Sequence, residues 1–371
     1  MTKLWILLAV SLMLAWLINN RDIALDRRGF HRKERSLTCL LILILCFFCG
    51  LRTWGNDTGT YIEIYEYLVP TFDTLKPSDV PAFSSGIGLF YLNVLMKTLN
   101  FSTQDFLMFY AFLTVIPYVL FVRKHSESFV FGVFLMFTTG FYTFTLAAIK
   151  QCMATGLCLL AIDQALNKKW TKFSLLVLLG MTFHPYAMVY FLVPFLMFKP
   201  WTKRTWLYIV IFILAGFSLE ALLGTILDIT DMMGASYDVT SFVGEGVNLF
   251  RVLVSFVPLI IAAVYGKALF QNSTKKDDLM FNMAMLNALI MFVGLFGTAN
   301  YFARLANYFL PGQVVTLPWL LRRIHPNDKK WMIPACIVGY LGYFIYENAI
   351  IRPFDTGYSH TSFWGYLASL F

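Results

Sequence analysis

The chain has 371 residues, of which 58% are hydrophobic and only 13% are charged. Soluble domains carry about 25% charged residues, so this composition excludes a soluble multidomain protein. A net charge of +8 would suggest nucleic-acid binding in a soluble protein. In a membrane protein the distribution of this charge indicates instead which loops lie in the cytoplasm. We therefore predict an all-α polytopic integral membrane protein that has no nucleic-acid partner.

Ten apolar segments are candidate membrane helices, because a hydrocarbon core of about 30 Å takes about 20 helical residues, or fewer where the bilayer thins. The first segment is followed by Asn19-Asn20-Arg21 and not by a small-residue cleavage site, so we interpret it as a span. In chain order the candidate spans are 4–18, 37–51, 105–122, 129–147, 148–166, 205–224, 249–268, 279–297, 301–321 and 331–348.

Basic clusters set the predicted topology, because positively charged loops stay in the cytoplasm. The apolar run Phe173–Phe198 has basic clusters at both ends and is interrupted by His184-Pro185, where proline breaks a helix. If this run enters from the cytoplasm and returns, 21 of the 29 Lys and Arg residues lie inside; if it crosses once, 14 do. We predict a re-entrant or broken helix pair near His184, with a single kinked span as the alternative.

This topology makes residues 1–371 a single transmembrane domain with both termini outside. The predicted outer segments are the loops 52–104 and 225–248 and the C-terminal tail 350–371. The apolar stretch Gly86–Leu99 is too short to span a membrane, and we interpret it as a short interfacial or re-entrant helix.

Eight basic residues remain on the outer side, and five of them lie at or near the outer ends of spans. Ionisable residues at membrane depth are costly and tend to line polar cavities, although snorkelling to the interface is the alternative for each residue alone. A cluster of this kind suits an anion with several charges, and Arg suits phosphate in particular. The five are Arg52, Lys150, Arg251, Arg304 and Arg352.

Two further residues are candidates for acid–base chemistry. Asp57 follows a glycine-containing loop after Arg52 and could act as a base, bind a sugar hydroxyl, or only pair with Arg52. His184 could be a general base near neutral pH, or a hydrogen-bonded residue at the helix break. The histidines are scattered and form no HxxxH pair, so we expect neither a metal site nor a cofactor.

Four short motifs occur in order along most of the chain. They are Arg52-Thr-Trp-Gly-Asn-Asp57-Thr-Gly-Thr-Tyr61, Lys150-Gln151-Cys-Met-Ala154, His184-Pro185-Tyr186-Ala187 and Arg304-Leu-Ala-Asn-Tyr308-Phe309. Together they resemble the EpsG family, the Wzy-like polymerases of bacterial exopolysaccharide, capsule and O-antigen. Two departures are Lys150, where the family has Arg, and Ser84-Ser85-Gly86, where members often carry an acidic residue.

The resemblance implies a GT-C-like glycosyltransferase in the bacterial inner membrane that joins undecaprenyl-diphosphate-linked oligosaccharide repeat units on the outer face without a metal ion. Under this hypothesis Arg304, Arg251 and Lys150 hold the donor diphosphate. Either His184 or Asp57 would orient or deprotonate the acceptor hydroxyl. The further predicted contacts are the substrate-binding residues Arg52, Tyr61, Gln151, Tyr308 and Arg352, with Trp54, Tyr61 and Tyr65 stacking on sugars.

The partners implied by the resemblance are the lipid-linked oligosaccharides, the lipid bilayer, a chain-length regulator and a flippase. Two other function classes remain open from the sequence. A flippase for lipid-linked oligosaccharide would also need a cationic cavity and broken helices, but with cations accessible from both sides. An O-antigen ligase or acyltransferase would share the outer chemistry with a different acceptor.

Overall fold

The computed structural model describes residues 1–27, 33–219, 225, 246–297 and 299–358. Parts of the predicted basic loop after the first span, of the span 205–224, of the outer loop 225–248 and of the C-terminal tail lie outside these residues. The described part is helical apart from one short two-stranded sheet.

In the first half of the chain, apolar runs form helices that end at polar turns. Ser102, for example, starts one helix by accepting a hydrogen bond from the Asp105 amide in a capping box. The elements are α1 (Thr2–Arg27), α2 (Ser36–Gly50), β1 (Arg52–Trp54), α3 (Thr58–Glu63), α4 (Ile87–Thr98), α5 (Thr103–His125), α6 (Phe129–Thr138), α7 (Ile149–Leu166) and α8 (Trp170–Phe183).

The second half continues with six α-helices, the second strand, the 3-10 helices Pro185–Leu196 and Gly266–Phe270, and the π-helical turn Tyr346–Ile351. The α-helices and the strand are α9 (Lys203–Phe217), α10 (Leu249–Tyr265), α11 (Lys275–Val293), α12 (Ala299–Asn307), α13 (Leu310–Arg323), α14 (Pro326–Ile345) and β2 (Gly357–Tyr358). Helix α11 is buried along nearly its whole length, including its polar residues Asn282 and Asn287. It therefore lies at the centre of the bundle.

Four of the described helices are long and apolar enough to cross a membrane: Thr2–Asp26, Thr103–His125, Leu249–Phe270 and Pro326–Ile351. Several other apolar helices, such as Ser36–Gly50 and Trp170–Phe183, are shorter. This confirms a polytopic, all-α membrane protein, while the number of ten crossings stays a prediction.

The loops with basic clusters meet at one end of the bundle, which we call the basic end. Its cations pair with acidic residues or donate to carbonyl groups of neighbouring helix ends. The contacts are Arg123–Asp22 (2.5 Å), Lys124–Asp163 (2.7 Å), Arg323–Glu127 (2.7 Å), Lys276 Nζ to the His125 carbonyl (3.5 Å) and Lys199 Nζ to the Gln271 carbonyl (3.4 Å).

The run Phe173–Phe198 forms a broken helix pair, as the sequence predicts. His184 is extended (φ −150°, ψ 110°) because it precedes Pro185, and the chain reverses there. The second arm returns to the basic end, where Asn282 Nδ2 donates to the Leu196 and Phe198 carbonyls at 2.7 Å. The alternative of a single kinked span is therefore wrong.

Two predicted spans are interrupted. The span 129–147 ends as an α-helix at Thr138, since Gly140 adopts a left-handed φ of 83°. The span 301–321 is two helices, α12 and α13, with a corner at Tyr308–Phe309. Pro311, in the first turn of α13, has no N–H with which to continue a helix from α12.

The two strands bring the N-terminal and C-terminal segments together at the end opposite the basic end. β1 and β2 are antiparallel, with Trp54 opposite Gly357. A Cβ on Gly357 would lie only 1.5 Å from Trp54 Nε1, so the Trp54 ring packs directly on this glycine and would have to move for any larger residue. Lys3 Nζ donates to the Thr356 carbonyl at 3.4 Å, which joins α1 to the same region.

Gly312 permits the close packing of α13 on α11, so we expect Gly312→Ala to destabilise the protein by about 1–3 kcal/mol. A Cβ there would lie 2.6 Å from Met283 Cβ and 2.7 Å from the Ala284 nitrogen. Gly339 is the control, because its added Cβ meets nothing within 4 Å. Thermal unfolding in detergent checks this, and equal melting temperatures for the two variants would contradict the packing.

Candidate active site

A cavity of about 710 Å³ opens at the end of the bundle opposite the basic end. Its wall is formed by the loop before α3, the turn between α6 and α7, the start of α10, the second half of α11, the corner between α12 and α13, the end of α14, and the segment before β2. The charged residues that line it are Asp57, Arg251, Arg304, Glu347, Arg352 and Asp355. The polar lining includes Asn56, Asn287, Asn307 and Gln313.

Three of the five predicted outer cations line this cavity, and they differ in their partners. Arg251 makes a bidentate ion pair with Glu347, at 2.8 Å and 2.6 Å, so its charge is already compensated. Arg304 and Arg352 are exposed and have no carboxylate within 4.0 Å among the described residues. These two guanidinium groups are therefore the ones available to an anionic ligand.

Asp57 reaches the cavity through the backbone of the loop before α3. Gly55 and Asn56 both have positive φ values, 120° and 47°, and they turn the chain so that Asp57 begins the helix. The Asp57 carboxylate is exposed and lines the cavity. It is thus a candidate for contact with a substrate hydroxyl.

Arg52, predicted to bind substrate or to pair with Asp57, makes no ion pair with Asp57 in the structure, and its contact with a substrate stays a prediction. It is 1% exposed and does not line the cavity. Its guanidinium donates to Thr58 Oγ1 at 2.8 Å and to the Cys49 carbonyl at 2.5 Å. A buried guanidinium needs such acceptors, so Arg52 fixes the end of α2 to the start of α3.

The corner that carries Arg304 is held by four side chains from other parts of the bundle. Gln151 Nε2 donates to the Arg304 carbonyl at 2.6 Å, and Asn287 Nδ2 donates to the Ala306 carbonyl at 2.8 Å. The remaining two bonds meet at Tyr308. Its carbonyl accepts from the Tyr190 hydroxyl at 2.8 Å, and a 2.8 Å bond joins its hydroxyl to His184 Nδ1.

This network gives Gln151, Tyr308 and His184 partners within the protein. Gln151 and Tyr308 are buried, and one ring nitrogen of His184 bonds the Tyr308 hydroxyl. None of the three lines the cavity. They support the corner that carries Arg304, and the substrate contacts predicted for them stay a prediction. Tyr190 and Asn287 were missed by sequence reasoning, although a polar Asn in the middle of an apolar run is a signal.

Lys150 and Tyr61 lie beside the cavity without lining it. Lys150 Nζ donates to the Ser85 carbonyl at 2.8 Å and so joins α7 to the turn before α4. Burial raises the pKa of the Tyr61 phenol to about 12, and a hydrogen bond with the Lys150 backbone partly offsets this. Tyr61 is therefore a neutral hydrogen-bonding group at physiological pH.

The aromatic residues predicted to stack on sugars also differ from one another. Tyr65 is 3% exposed, stacks on Phe106 with ring centroids 4.6 Å apart, and donates to the Phe101 carbonyl. It is a packing residue, and its prediction is wrong. Trp54 is 49% exposed but contacts Gly357 and is not part of the cavity lining.

The cavity is mixed in charge, since acidic residues other than the predicted Asp57 also line it. Asp57, Glu347 and Asp355 balance the three arginines in number. No group of three His, Cys, Asp or Glu side chains with metal-binding geometry occurs among the described residues. The arrangement offers arginines for a phosphate group and a carboxylate for a hydroxyl in one polar space.

Loss of the Gln151 side chain is expected to weaken the corner that carries Arg304. Gln151→Ala leaves the Arg304 carbonyl without its donor, which costs about 1–3 kcal/mol of unfolding free energy. Gln164→Ala is the matched control, because Gln164 lies on the same helix and is only half-buried. Thermal unfolding in detergent measures both, and an unchanged melting temperature for Gln151→Ala would argue against the positioning role.

A comparison with protein families matches most of the chain. The matching family model is described as the EpsG family, and it covers residues 35–362. That range includes every residue that lines the cavity, from Asn56 to Asp355. No curated protein and no solved structure matches the chain.

Proposed function

The chain belongs to the EpsG family, which indicates a polysaccharide polymerase, and we propose that it is a glycosyltransferase that joins undecaprenyl-diphosphate-linked oligosaccharide repeat units. The observation that carries this proposal is that Arg304, Arg352 and Asp57 line the same polar cavity. It offers groups for a diphosphate and for a sugar hydroxyl in the same space, and these are the two functions that the transfer requires.

In the proposed reaction the acceptor sugar hydroxyl oxygen attacks the anomeric carbon of the donor repeat unit. A new glycosidic C–O bond forms, and the bond between the anomeric carbon and the diphosphate oxygen breaks. The electron pair leaves with undecaprenyl diphosphate, whose developing charge Arg304 and Arg352 stabilise. The hydroxyl proton passes to the Asp57 carboxylate.

The geometry favours Asp57 over His184 as the group that takes this proton. Asp57 is exposed to the cavity, whereas His184 is half-buried, bonds Tyr308 and is absent from the lining. A general base must come within hydrogen-bond reach of the proton that it takes. We therefore assign His184 to positioning the Tyr308 corner.

The proposed site faces the outside of the cytoplasmic membrane. The positively charged loops meet at the opposite end of the bundle, and such loops remain in the cytoplasm. A cavity on the outer face would receive lipid-linked repeat units after their transfer across the membrane by a flippase. A chain-length regulator would act on the growing polymer on the same face.

Purified protein supplied with lipid-linked repeat units in detergent tests the proposal. A ladder of polymer lengths is the expected product, and chelation with EDTA should leave it unchanged if no metal ion takes part. Transfer of repeat units across vesicle membranes without polymer would support a flippase instead. Attachment to a different acceptor without a ladder would support a ligase or an acyltransferase.

A further inference from the structure

A second cavity, of about 540 Å³, lies at the basic end, and it shares no lining residue with the candidate active site. It lies between the end of the broken helix pair, the start of α9 and the 3-10 turn Gly266–Phe270 that follows α10. The residues that line it are Lys199, Pro200, Trp201, Thr202, Lys203, Trp206, Lys267, Phe270 and Gln271.

Three lysines give this cavity its charge. Lys199, Lys203 and Lys267 are all exposed, and none forms an ion pair within 4.0 Å among the described residues. Lys199 Nζ contacts only the Gln271 carbonyl, at 3.4 Å. Asp278, the carboxylate that acts electrostatically on Lys199, is hydrogen-bonded to Ser273. The lining itself contains no carboxylate, in contrast to the cavity at the other end.

Backbone N–H groups add to the lysine charges. Helix α9 starts at Lys203, and Thr202 makes no side-chain capping bond, so the first amides of the helix lack a capping acceptor. An anion in the cavity would provide acceptors for these amides. The Trp201 ring packs against Trp206 and Phe281 and forms part of the cavity wall.

The surroundings point to a lipid and not to a soluble anion. Trp201 and Trp206 lie with ring centroids 5.9 Å apart, and tryptophans of this kind mark the membrane interface. Beyond Trp206, α9 presents exposed Leu207, Ile211 and Leu214 along one side. Acyl chains can lie on this apolar face while the headgroup phosphate occupies the cavity.

We propose that this cavity binds the headgroup of an anionic phospholipid, with the phosphate held by the three lysines and by the N–H groups at the start of α9. Basic pockets between membrane helices are suited to anionic lipid headgroups. The site is separate from the active-site cavity and does not depend on the proposed reaction. A lipid bound there would contact the end of the broken helix pair, the start of α9 and the turn after α10 at the membrane surface.

The test compares lipid retention by protein purified with phosphatidylglycerol or with phosphatidylcholine and measured by native mass spectrometry. The variant Lys199→Gln/Lys203→Gln/Lys267→Gln is expected to retain phosphatidylglycerol about 100-fold less than the wild type, since each lysine near an anionic surface contributes about a fivefold gain. The control is Lys168→Gln/Lys169→Gln/Lys172→Gln, which removes three exposed basic-end lysines outside the cavity and should retain the lipid normally.

Single variants at Lys203 and at Lys267 keep the test decisive if the triple variant fails to fold, because each should lose part of the retention. Equal loss in cavity and control variants would show a non-specific surface effect and overturn the site. Displacement of phosphatidylglycerol by an equimolar amount of soluble glycerol phosphate would also overturn it, since the cavity would then bind a free anion and not a lipid.

Discussion

Arg304→Ala is expected to reduce polymer formation by about 100- to 1000-fold, because it removes a positive charge aimed at the developing diphosphate charge. The Arg304 side chain is exposed in the cavity, while its backbone is held by Gln151 and by the neighbouring Asn287–Ala306 bond. Truncation beyond Cβ should therefore leave the fold intact. The rate of ladder formation from lipid-linked repeat units measures the loss.

Two further variants separate charge from geometry at this position. Arg304→Lys keeps the charge but loses the bidentate fork, so we expect activity between those of the wild type and the alanine variant. Lys76→Ala is the matched control, since it removes an exposed cation from the loop 52–104 that does not line the cavity. Normal polymer length from Arg304→Ala at normal protein level would contradict the assigned role.

Asp57→Asn is expected to lower the rate of polymerisation by about 100- to 10,000-fold, the range for loss of a positioned general base. The substitution preserves the size of the side chain but removes its negative charge and its ability to take a proton. Because Asp57 is exposed at the start of α3, the melting temperature should stay close to that of the wild type. Initial rates at saturating substrate measure the effect.

His184→Gln decides between the two candidate bases. Glutamine can still bond the Tyr308 hydroxyl, so a positioning role predicts a loss of less than about tenfold. Glu63→Gln is the control for the loss of negative charge in Asp57→Asn. Glu63 is exposed on the helix that follows Asp57, and it lies outside the cavity lining. A large loss in His184→Gln together with an active Asp57→Asn would reverse the assignment.

Much of the fold follows from patterns within single segments. Apolar length and low charge predict the helices, and the basic clusters at both ends of Phe173–Phe198 predict its return to the end where it starts. The interruptions of the predicted spans 129–147 and 301–321 were not predicted. The breaks at Gly140 and Tyr308 lie inside apolar runs. Hydropathy averages over such breaks, whereas backbone conformation depends on individual residues.

The site was only partly predictable for a related reason. The sequence places cations at the outer ends of several helices, and Arg251, Arg304 and Arg352 do meet at one cavity. It contains no information on which side each helix turns toward that cavity. Arg52 lies at such an end yet is buried against Cys49 and Thr58, and Glu347, which neutralises Arg251, lies 96 residues away from it in the chain.

The amino-acid sequence by itself determined the membrane class and the broken helix pair, and it predicted the set of outer cations, because these depend on local hydropathy and on charge. Only the tertiary structure decided which motif residues face the cavity and which hold it in shape. Gln151 bonds the Arg304 carbonyl, and His184 bonds the Tyr308 hydroxyl. The two residues of each pair are more than a hundred residues apart in the chain. Such pairings are set by the rotation and packing of whole helices, which a motif within one helix does not encode.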